Sequence, residues 1–235
     1  MFGTRDIPLE LREGEISVSL RRDQDLLIYH RECLGDACDK QLVSRAKKIL
    51  IAPTEPVTQP KAITPYLFIK FDKALLLEPA STARIYVTFP VEIGVFATGA
   101  GNPQLIDGFT LAEKKFTLYG DPSMGRICWY WSSRIHAAIP DVDELREGIM
   151  ELTIQNMDTD WVEVKKAVFN AYGMKIFYGL GMVSMRSTMK LRPGDTAETS
   201  FETSPIKKGA TRSVERYALK KISMATGKFV MEHGL

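Results

Sequence analysis

The stretch Arg84-Ile85-Tyr86-Val87-Thr88-Phe89 decides the fold class of this chain. Its β-branched and aromatic side chains pack well on a pleated, half-buried surface, so it predicts a β-strand. Pro90 interrupts the run, because proline lacks the backbone N–H that a central strand donates. The apolar pattern resumes at once in Val91-Glu92-Ile93-Gly94-Val95-Phe96, which predicts a second strand.

The same kind of segment recurs on both sides of this stretch. Glu15–Leu20 alternates polar and apolar residues, as a strand with one buried face does. Further strands are predicted at residues 26–29, 48–52, 66–71, 74–77, 126–131, 150–154, 161–164, 167–169, 175–178, 200–203 and 228–231. Short strands at intervals of about 8–12 residues point to all-β sandwiches or barrels.

Helical signals are confined to two places, so we expect at most one or two short helices. Pro140–Gly148 is the best candidate, because Asp141 or Asp143 could cap it and Gly148 could end it. Residues 213–222 have apolar side chains that fit either helical or strand spacing. The strand-rich context favours a strand there.

Two segments with matching residues favour an internal duplication. Leu77-Glu78-Pro79-Ala80-Ser81-Thr82-Ala83 and Leu191-Arg192-Pro193-Gly194-Asp195-Thr196-Ala197 share Leu, Pro, Thr and Ala in register. The offset from position 77 to position 191 is 114 residues, close to half of the 235. Chance similarity between strand–turn–strand segments is the alternative. We expect two tandem antiparallel β-sandwiches of immunoglobulin-like or Greek-key character, over residues 1–113 and 114–235.

Composition and charge limit the classes of function. The chain is 45% hydrophobic and 26% charged, as ordinary globular proteins are, so a mainly disordered chain is excluded. Its 31 basic and 29 acidic side chains leave a formal net charge of +2. This is far below the excess typical of a dedicated nucleic-acid binder, and the lysines come as scattered doublets. We therefore predict no nucleic-acid partner.

The sequence shows no targeting or membrane signal. Met1–Asp6 lacks the basic stretch and following apolar run of a signal peptide. The most apolar windows, such as Ala74–Leu77, are far too short to span a bilayer. We expect no transmembrane segment and a cytoplasmic location.

Cys33, Cys38 and the nearby His30 could supply three metal ligands. Their spacing is wider than that of a Cys-x2-Cys knuckle, and no second pair follows to complete a tetrahedral site. A polar turn at Gly35-Asp36-Ala37 between two strands, with two free thiols, is the simpler interpretation. We expect no metal and no cofactor.

Motifs for nucleophilic catalysis or phosphate binding are missing, since the chain has no Gly-x-Ser-x-Gly, Gly-x-Gly-x-x-Gly or P-loop pattern. Trp129 and Trp131 share one face of a predicted strand, and Tyr130 takes the other. If exposed, the two indoles would form a stacking platform for sugars or bases; if buried, they belong to the core. The other candidates for a ligand surface are Arg126, Arg134 and Arg186.

Four stretches resemble a known family. They are Arg84–Phe96, Glu151–Tyr178, Ala197–Phe201 and Lys228–Leu235. Over nearly its whole length the chain resembles the domain of unknown function 432, an uncharacterised and mainly archaeal family. The resemblance implies a prokaryotic, archaeal, intracellular protein, and it brings no activity, cofactor or catalytic residue.

The lack of nucleophile, metal and phosphate motifs favours a non-catalytic binding or assembly module. Its partner would be an unidentified protein or a second copy of the chain, held through sheet edges and loops. The alternative is an enzyme or small-ligand receptor whose site lies at the junction of the two halves.

Overall fold

The computed structural model describes residues 1–57, 63–99, 102–215 and 228–235. Nearly all of the regular structure is β-strand, so the prediction of an all-β protein is confirmed. The described residues include no α-helix and one short 3-10 helix at Ala171–Gly173. The ambiguous segment 213–222 lies outside the described residues from position 216 onward.

Nineteen strands are formed by the described residues. The first ten are β1 (Gly3–Asp6), β2 (Leu9–Glu13), β3 (Ile16–Asp23), β4 (Leu26–Cys33), β5 (Asp36–Val43), β6 (Lys48–Thr54), β7 (Tyr66–Leu77), β8 (Thr82–Pro90), β9 (Glu92–Thr98) and β10 (Gln104–Phe109). The others are β11 (Lys115–Tyr119), β12 (Arg126–Ser133), β13 (Glu147–Asn156), β14 (Val162–Asn170), β15 (Phe177–Gly179), β16 (Met182–Arg192), β17 (Thr196–Phe201), β18 (Thr211–Arg212) and β19 (Phe229–Met231).

The chain divides into two compact units. Unit 1 comprises Met1–Ala52 and Ile93–Leu111, and unit 2 comprises Pro53–Glu92 and Ala112–Leu235. These bounds differ from the predicted sandwiches over 1–113 and 114–235. The reason is that β7 and β8, which precede position 113, pair with β12, β13 and β14, which follow it.

Unit 1 contains two four-stranded sheets. Sheet I has the strand order β1-β6-β9-β10, and sheet II has the order β2-β3-β4-β5. Sheet II is a meander of antiparallel hairpins. Its β3 buries Ile16, Val18 and Leu20 while the residues between them stay half-buried, which confirms the strand predicted from alternation.

Unit 2 contains a four-stranded and a seven-stranded sheet. Sheet III has the order β11-β12-β7-β14. Sheet IV follows the path β18-β15-β16-β13-β8, with β17 added on β16 and β19 on β17. Two pairs, β7 with β12 and β13 with β16, are parallel, so these sheets are mixed rather than purely antiparallel as predicted. Alternate residues bury an apolar face of each sheet, such as Leu67 and Ile69 in sheet III and Leu152 and Ile154 in sheet IV.

The two matching segments have different places in unit 2. Each is a strand, a turn and a strand, as predicted. Residues 77–83, however, lead from β7 in sheet III to β8 in sheet IV, whereas residues 191–197 close the β16–β17 hairpin within sheet IV. The strand pairing therefore gives the duplication no support.

The predicted helix at Pro140–Gly148 is wrong. Residues 144–146 form a single turn instead, in which the backbone N–H groups of Arg146 and Glu147 donate to the Asp143 carbonyl at 2.9 and 2.8 Å. The Asp143 carboxylate accepts from the N–H of Leu145 at 3.0 Å, so Asp143, one of the two proposed cap residues, stabilises this turn and no helix. One turn fixes too few hydrogen bonds to offset the cost of helix nucleation.

Gly148 is a strand residue of β13 and does not end a helix. A Cβ at this position would lie 2.2 Å from Cζ of Phe89, the residue opposite it in β8. The ring of Phe89 is fully buried. Glycine is therefore required here by the close approach of an aromatic ring.

Candidate functional site

The possible metal ligands of the β4–β5 hairpin do not converge. The antiparallel register places Cys38 opposite Arg31, on the same face as Cys33, whereas His30 pairs with Asp39 on the other face. His30 Nδ1 lies 2.8 Å from the Asp39 carboxylate. In the described ranges no three potential ligands are grouped. A turn does join the two strands, but it lies at Leu34 and Gly35 and not at the predicted Gly35-Asp36-Ala37, because Asp36 and Ala37 belong to β5.

A buried carboxylate, Asp107 of β10, is the centre of a polar cluster in unit 1. Arg31 Nε and the Tyr29 hydroxyl each donate to Oδ2 at 2.8 Å. Lys40 Nζ donates to Oδ1 at 3.2 Å, and the Cys38 thiol lies 3.7 Å from the same oxygen. All four partners belong to sheet II and Asp107 belongs to sheet I, so the cluster ties the two sheets together.

The electrostatics of this cluster are those of a structural ion pair. Burial on its own would raise the pKa of Asp107, but the hydrogen bonds from Arg31 and Tyr29 and the charges of Arg31 and Lys40 lower it. Arg31 also donates to the Asp36 carboxylate at 3.0 Å and lies 4.9 Å from the Phe109 ring centroid. Each charged side chain of the cluster thus already has a partner of opposite charge.

A second closed cluster surrounds Glu151 on sheet IV. Glu151 lies in β13 between Tyr86 of β8 and Arg186 of β16. The Tyr86 hydroxyl donates to Oε2 at 3.1 Å, and Arg186 Nε lies 3.2 Å from Oε1. Arg84 adds a contact at 4.0 Å. Arg186, one of the sequence candidates, therefore neutralises a nearly buried carboxylate.

The tryptophan pair is not an exposed platform. Trp129 has no exposed surface, and its Nε1 donates to the Glu113 carbonyl at 3.4 Å. Trp131 is half-buried, and its Nε1 donates to the Thr88 hydroxyl at 3.0 Å. The core interpretation holds for Trp129, because this face of β12 is the one that sheet III buries. Tyr130 takes the opposite face, as predicted.

The remaining arginine candidates do not meet at one site. Arg126 is exposed at the start of β12, donates to the Tyr66 hydroxyl at 2.9 Å and lies 5.0 Å from that ring. Arg134 is exposed just after β12, and its carbonyl accepts from the Ser133 hydroxyl. Arg186 belongs to sheet IV.

The other face of sheet III has a composition that sequence reasoning missed. The register places Phe68 opposite Tyr130, and Lys70 between Ser132 and Lys166. These five residues, the basic-aromatic face, come from three adjacent strands, β12, β7 and β14. The Phe68 and Tyr130 rings stack with centroids 5.9 Å apart and an interplanar angle of 26°. Both rings are half-buried, so part of their surface stays in contact with solvent.

Lys70 and Lys166 bring two positive charges opposite each other on this face. Among the described residues neither lysine has an ion pair with a carboxylate. Burial first, and then the charges of Lys70 and Lys165, lower the pKa of Lys166. Like charges directly opposite on neighbouring strands are destabilising, so the free protein holds an unfavourable pair here.

Neighbouring lysines show how different this arrangement is. Lys165 Nζ lies 2.5 Å from the Glu163 carboxylate, and Lys115 Nζ lies 2.8 Å from that of Glu113. Lys166 contacts an aromatic ring instead, with its Nζ 5.7 Å from the centroid of Tyr119. A ring face attracts a cation but, unlike a carboxylate, carries no net negative charge that would neutralise it.

The C-terminal segment closes one end of the basic-aromatic face. The backbone N–H of His233 donates to the Tyr119 hydroxyl at 3.0 Å, and that hydroxyl donates to the Gly234 carbonyl at 3.3 Å. Tyr119 in turn packs edge-on against Phe68, with centroids 6.3 Å apart. Phe68 thus contacts the rings of both Tyr119 and Tyr130, which belong to the two strands on one side of β7.

Sequence signals could have found half of this face. The strands at 66–71 and 126–131 are both predicted, and period-2 alternation places Phe68 with Lys70 and separates Tyr130 from the two tryptophans. Their pairing could not be read, because β7 and β12 are parallel neighbours about sixty positions apart in the chain.

The described residues contain no helix that could span a bilayer.

Comparisons with known proteins give a family and no activity. No curated protein and no solved structure matches the chain. The family model described as Protein of unknown function (DUF432) matches residues 1–232. The chain therefore belongs to the DUF432 family, as its sequence resemblance implied.

Proposed function

We propose that the protein is a non-catalytic binding module and that the basic-aromatic face of unit 2 binds an anionic ligand. One observation carries this proposal: Lys70 and Lys166 oppose each other with no carboxylate partner in the described part of the chain. An anion placed between the two ammonium groups would turn a repulsive pair into two charge-assisted hydrogen bonds.

The other charged clusters support the choice by contrast. Asp107 already receives donors from Arg31, Tyr29 and Lys40. Glu151 already faces Arg186 and Tyr86. An incoming anion would have to displace a buried carboxylate from either cluster, whereas neither Lys70 nor Lys166 has a carboxylate partner to displace in the described part of the chain.

The test is a calorimetric titration of the full chain with inorganic tripolyphosphate at low salt. The double variant Lys70→Gln/Lys166→Gln should lose at least about tenfold in affinity, because each charge-assisted hydrogen bond contributes about 1.5–3 kcal/mol. The matched control is Lys207→Gln/Lys208→Gln, which removes the same charge from two exposed lysines elsewhere in unit 2. Its affinity should stay within about twofold of the wild type.

Two results would overturn the proposal. One is a wild-type protein that shows no binding to tripolyphosphate at low salt. The other is an equal loss of affinity in both double variants, which would mean that only net charge matters and that the face is not a site.

Several expectations from the sequence stay predictions beside this proposal. They are an archaeal source, a cytoplasmic location, an immunoglobulin-like topology, and a protein partner or second copy as a binding partner. The alternative of an enzyme or small-ligand receptor also stays a prediction.

A further inference from the structure

The rings of Phe68 and Tyr130 stack on each other and form a two-ring pair that a nucleobase can extend by one more ring. They lie on adjacent parallel strands, at positions directly opposite in the register. Their planes are within 26° of each other, and both rings keep part of their surface exposed. Aromatic side chains on neighbouring strands of an open sheet face are how several β-sheet modules hold unstacked bases.

The two lysines lie where phosphates would follow such bases. Lys70 is two residues beyond Phe68 on the same face of β7, which is roughly 7 Å along the strand. Lys166 stands across from it on β14. A chain that alternates planar rings with negative charges therefore matches the alternation of rings and ammonium groups on this face.

We infer that the basic-aromatic face binds single-stranded nucleic acid, with a base added to the stacked Phe68–Tyr130 pair and phosphates on Lys70 and Lys166. This inference rests on the proposed function and names its ligand class. A duplex is a poorer fit, because its bases are already stacked on each other and their faces are hidden.

The low net charge of the chain agrees with a small footprint. The sequence prediction of no nucleic-acid partner rests on the total charge of +2, which does not show where charges lie. Two phosphate contacts on a single strand give a slope of log K against log salt of about −1.4. Binding should thus be moderate in affinity and only mildly dependent on salt, in contrast to that of a strongly basic protein.

The experiment measures the fluorescence anisotropy of a labelled oligonucleotide of eight thymidines against the full chain. Phe68→Leu and Tyr130→Leu, which keep apolar bulk, should each weaken binding by about fivefold to a hundredfold. Neither variant should change the affinity for tripolyphosphate. Lys70→Gln/Lys166→Gln should weaken both ligands.

The matched control for the rings is Phe116→Leu. Phe116 is a partly exposed aromatic residue of the same sheet, but the register places it opposite Trp129, so it lies on the other face. This variant should bind the oligonucleotide as the wild type does. Thermal unfolding of each variant confirms that it is folded.

The outcomes separate this inference from the proposed function. If tripolyphosphate binds through the lysines but the ring variants leave oligonucleotide affinity unchanged, the anion site stands and the nucleic-acid inference is wrong. The inference is equally wrong if heparin oligosaccharides or duplex DNA compete as well as the single strand does. If neither tripolyphosphate nor the oligonucleotide binds, both proposals fail together.

Discussion

Asp107 shows at the scale of one residue how unit 1 holds a charge in its interior. Its side chain is 8% exposed and receives two hydrogen bonds at 2.8 Å from Arg31 and Tyr29. The side chain of Arg31 is 5% exposed, so its guanidinium depends on this carboxylate. Removing one partner of such a pair leaves an uncompensated charge behind, which is the most costly way to disturb it.

We therefore expect Asp107→Asn to lower the free energy of unfolding by about 3–5 kcal/mol, measured by urea denaturation at neutral pH. The control is Asp36→Asn, because Asp36 is the exposed second partner of Arg31. A surface ion pair contributes at most about 1 kcal/mol, so this variant should stay close to the wild type. Similar losses in the two variants would contradict the central role of Asp107.

The pH dependence of stability gives the same residue a second signature. Its pKa is lowered in the folded state, so its contribution to stability is complete above the unfolded-state pKa and is lost as the pH falls through the folded-state value. In Asp107→Asn this part of the loss of stability at low pH should be missing. If the free energy of unfolding of the variant fell with pH as that of the wild type does, other carboxylates would account for the loss.

At the scale of an element, the β4–β5 hairpin depends on a turn that its sequence fits imperfectly. Leu34 and Gly35 have φ angles of 51° and 78°. A type I′ turn needs positive φ at both central residues, which Asn-Gly accepts readily and a leucine does not. Leu34 is 52% exposed, so it gains little from burial in return.

Leu34→Asn should therefore stabilise the protein by about 1 kcal/mol, seen as a higher Tm with the same unfolding slope in urea. Leu180 has the same conformation, with φ of 58° before Gly181, so Leu180→Asn should give a similar gain. Val43→Asn alters an exposed strand residue with no such angle and should give none. A loss of stability in both turn variants would contradict the argument.

Strands were the features predicted best from the sequence, and they also show which local patterns fail to predict structure. Strands with β-branched and aromatic residues, such as those at 84–89 and 66–71, were predicted correctly because side-chain type and period agreed. Of the eleven residues of β16, only the end at Leu191 and Arg192 was predicted, as part of a strand–turn–strand segment. Met185, Ser187 and Met189 form part of its buried set, and neither methionine nor serine has the β-branched shape that marks a strand.

The candidate site shows the same limit more sharply. Trp129 and Trp131, the aromatic residues that the sequence marks as candidates, lie on the face of β12 that sheet III buries. The face that stays accessible depends on which strands become neighbours, and β7 reaches β12 and β14 only through long-range pairing. Local patterns tell which residues share a face, but the neighbours of a strand are set by the packing of the whole unit.

At the scale of the whole molecule, the chain runs back and forth between its two units. It leaves unit 1 after Ala52, returns at Ile93 and leaves again after Leu111. A length of 235 residues allows two domains, but the sequence does not reveal that residues 53–92 belong with the second half. Each unit has its own buried apolar residues, so we expect each to unfold locally with its own free energy.

Hydrogen exchange followed by mass spectrometry tests whether each unit behaves in this way. In Gly148→Ala the added Cβ would meet the buried ring of Phe89 at 2.2 Å, so the ring must move at a cost of about 1–3 kcal/mol. Exchange should accelerate in β8, β13 and β16 of unit 2, while β3, β4 and β5 of unit 1 exchange as in the wild type. Asp107→Asn should give the reverse pattern, since its partners lie in β4 and β5. If either substitution accelerates exchange equally in all of these strands, the chain opens as one cooperative body. The two units would then be separate in packing but not in stability.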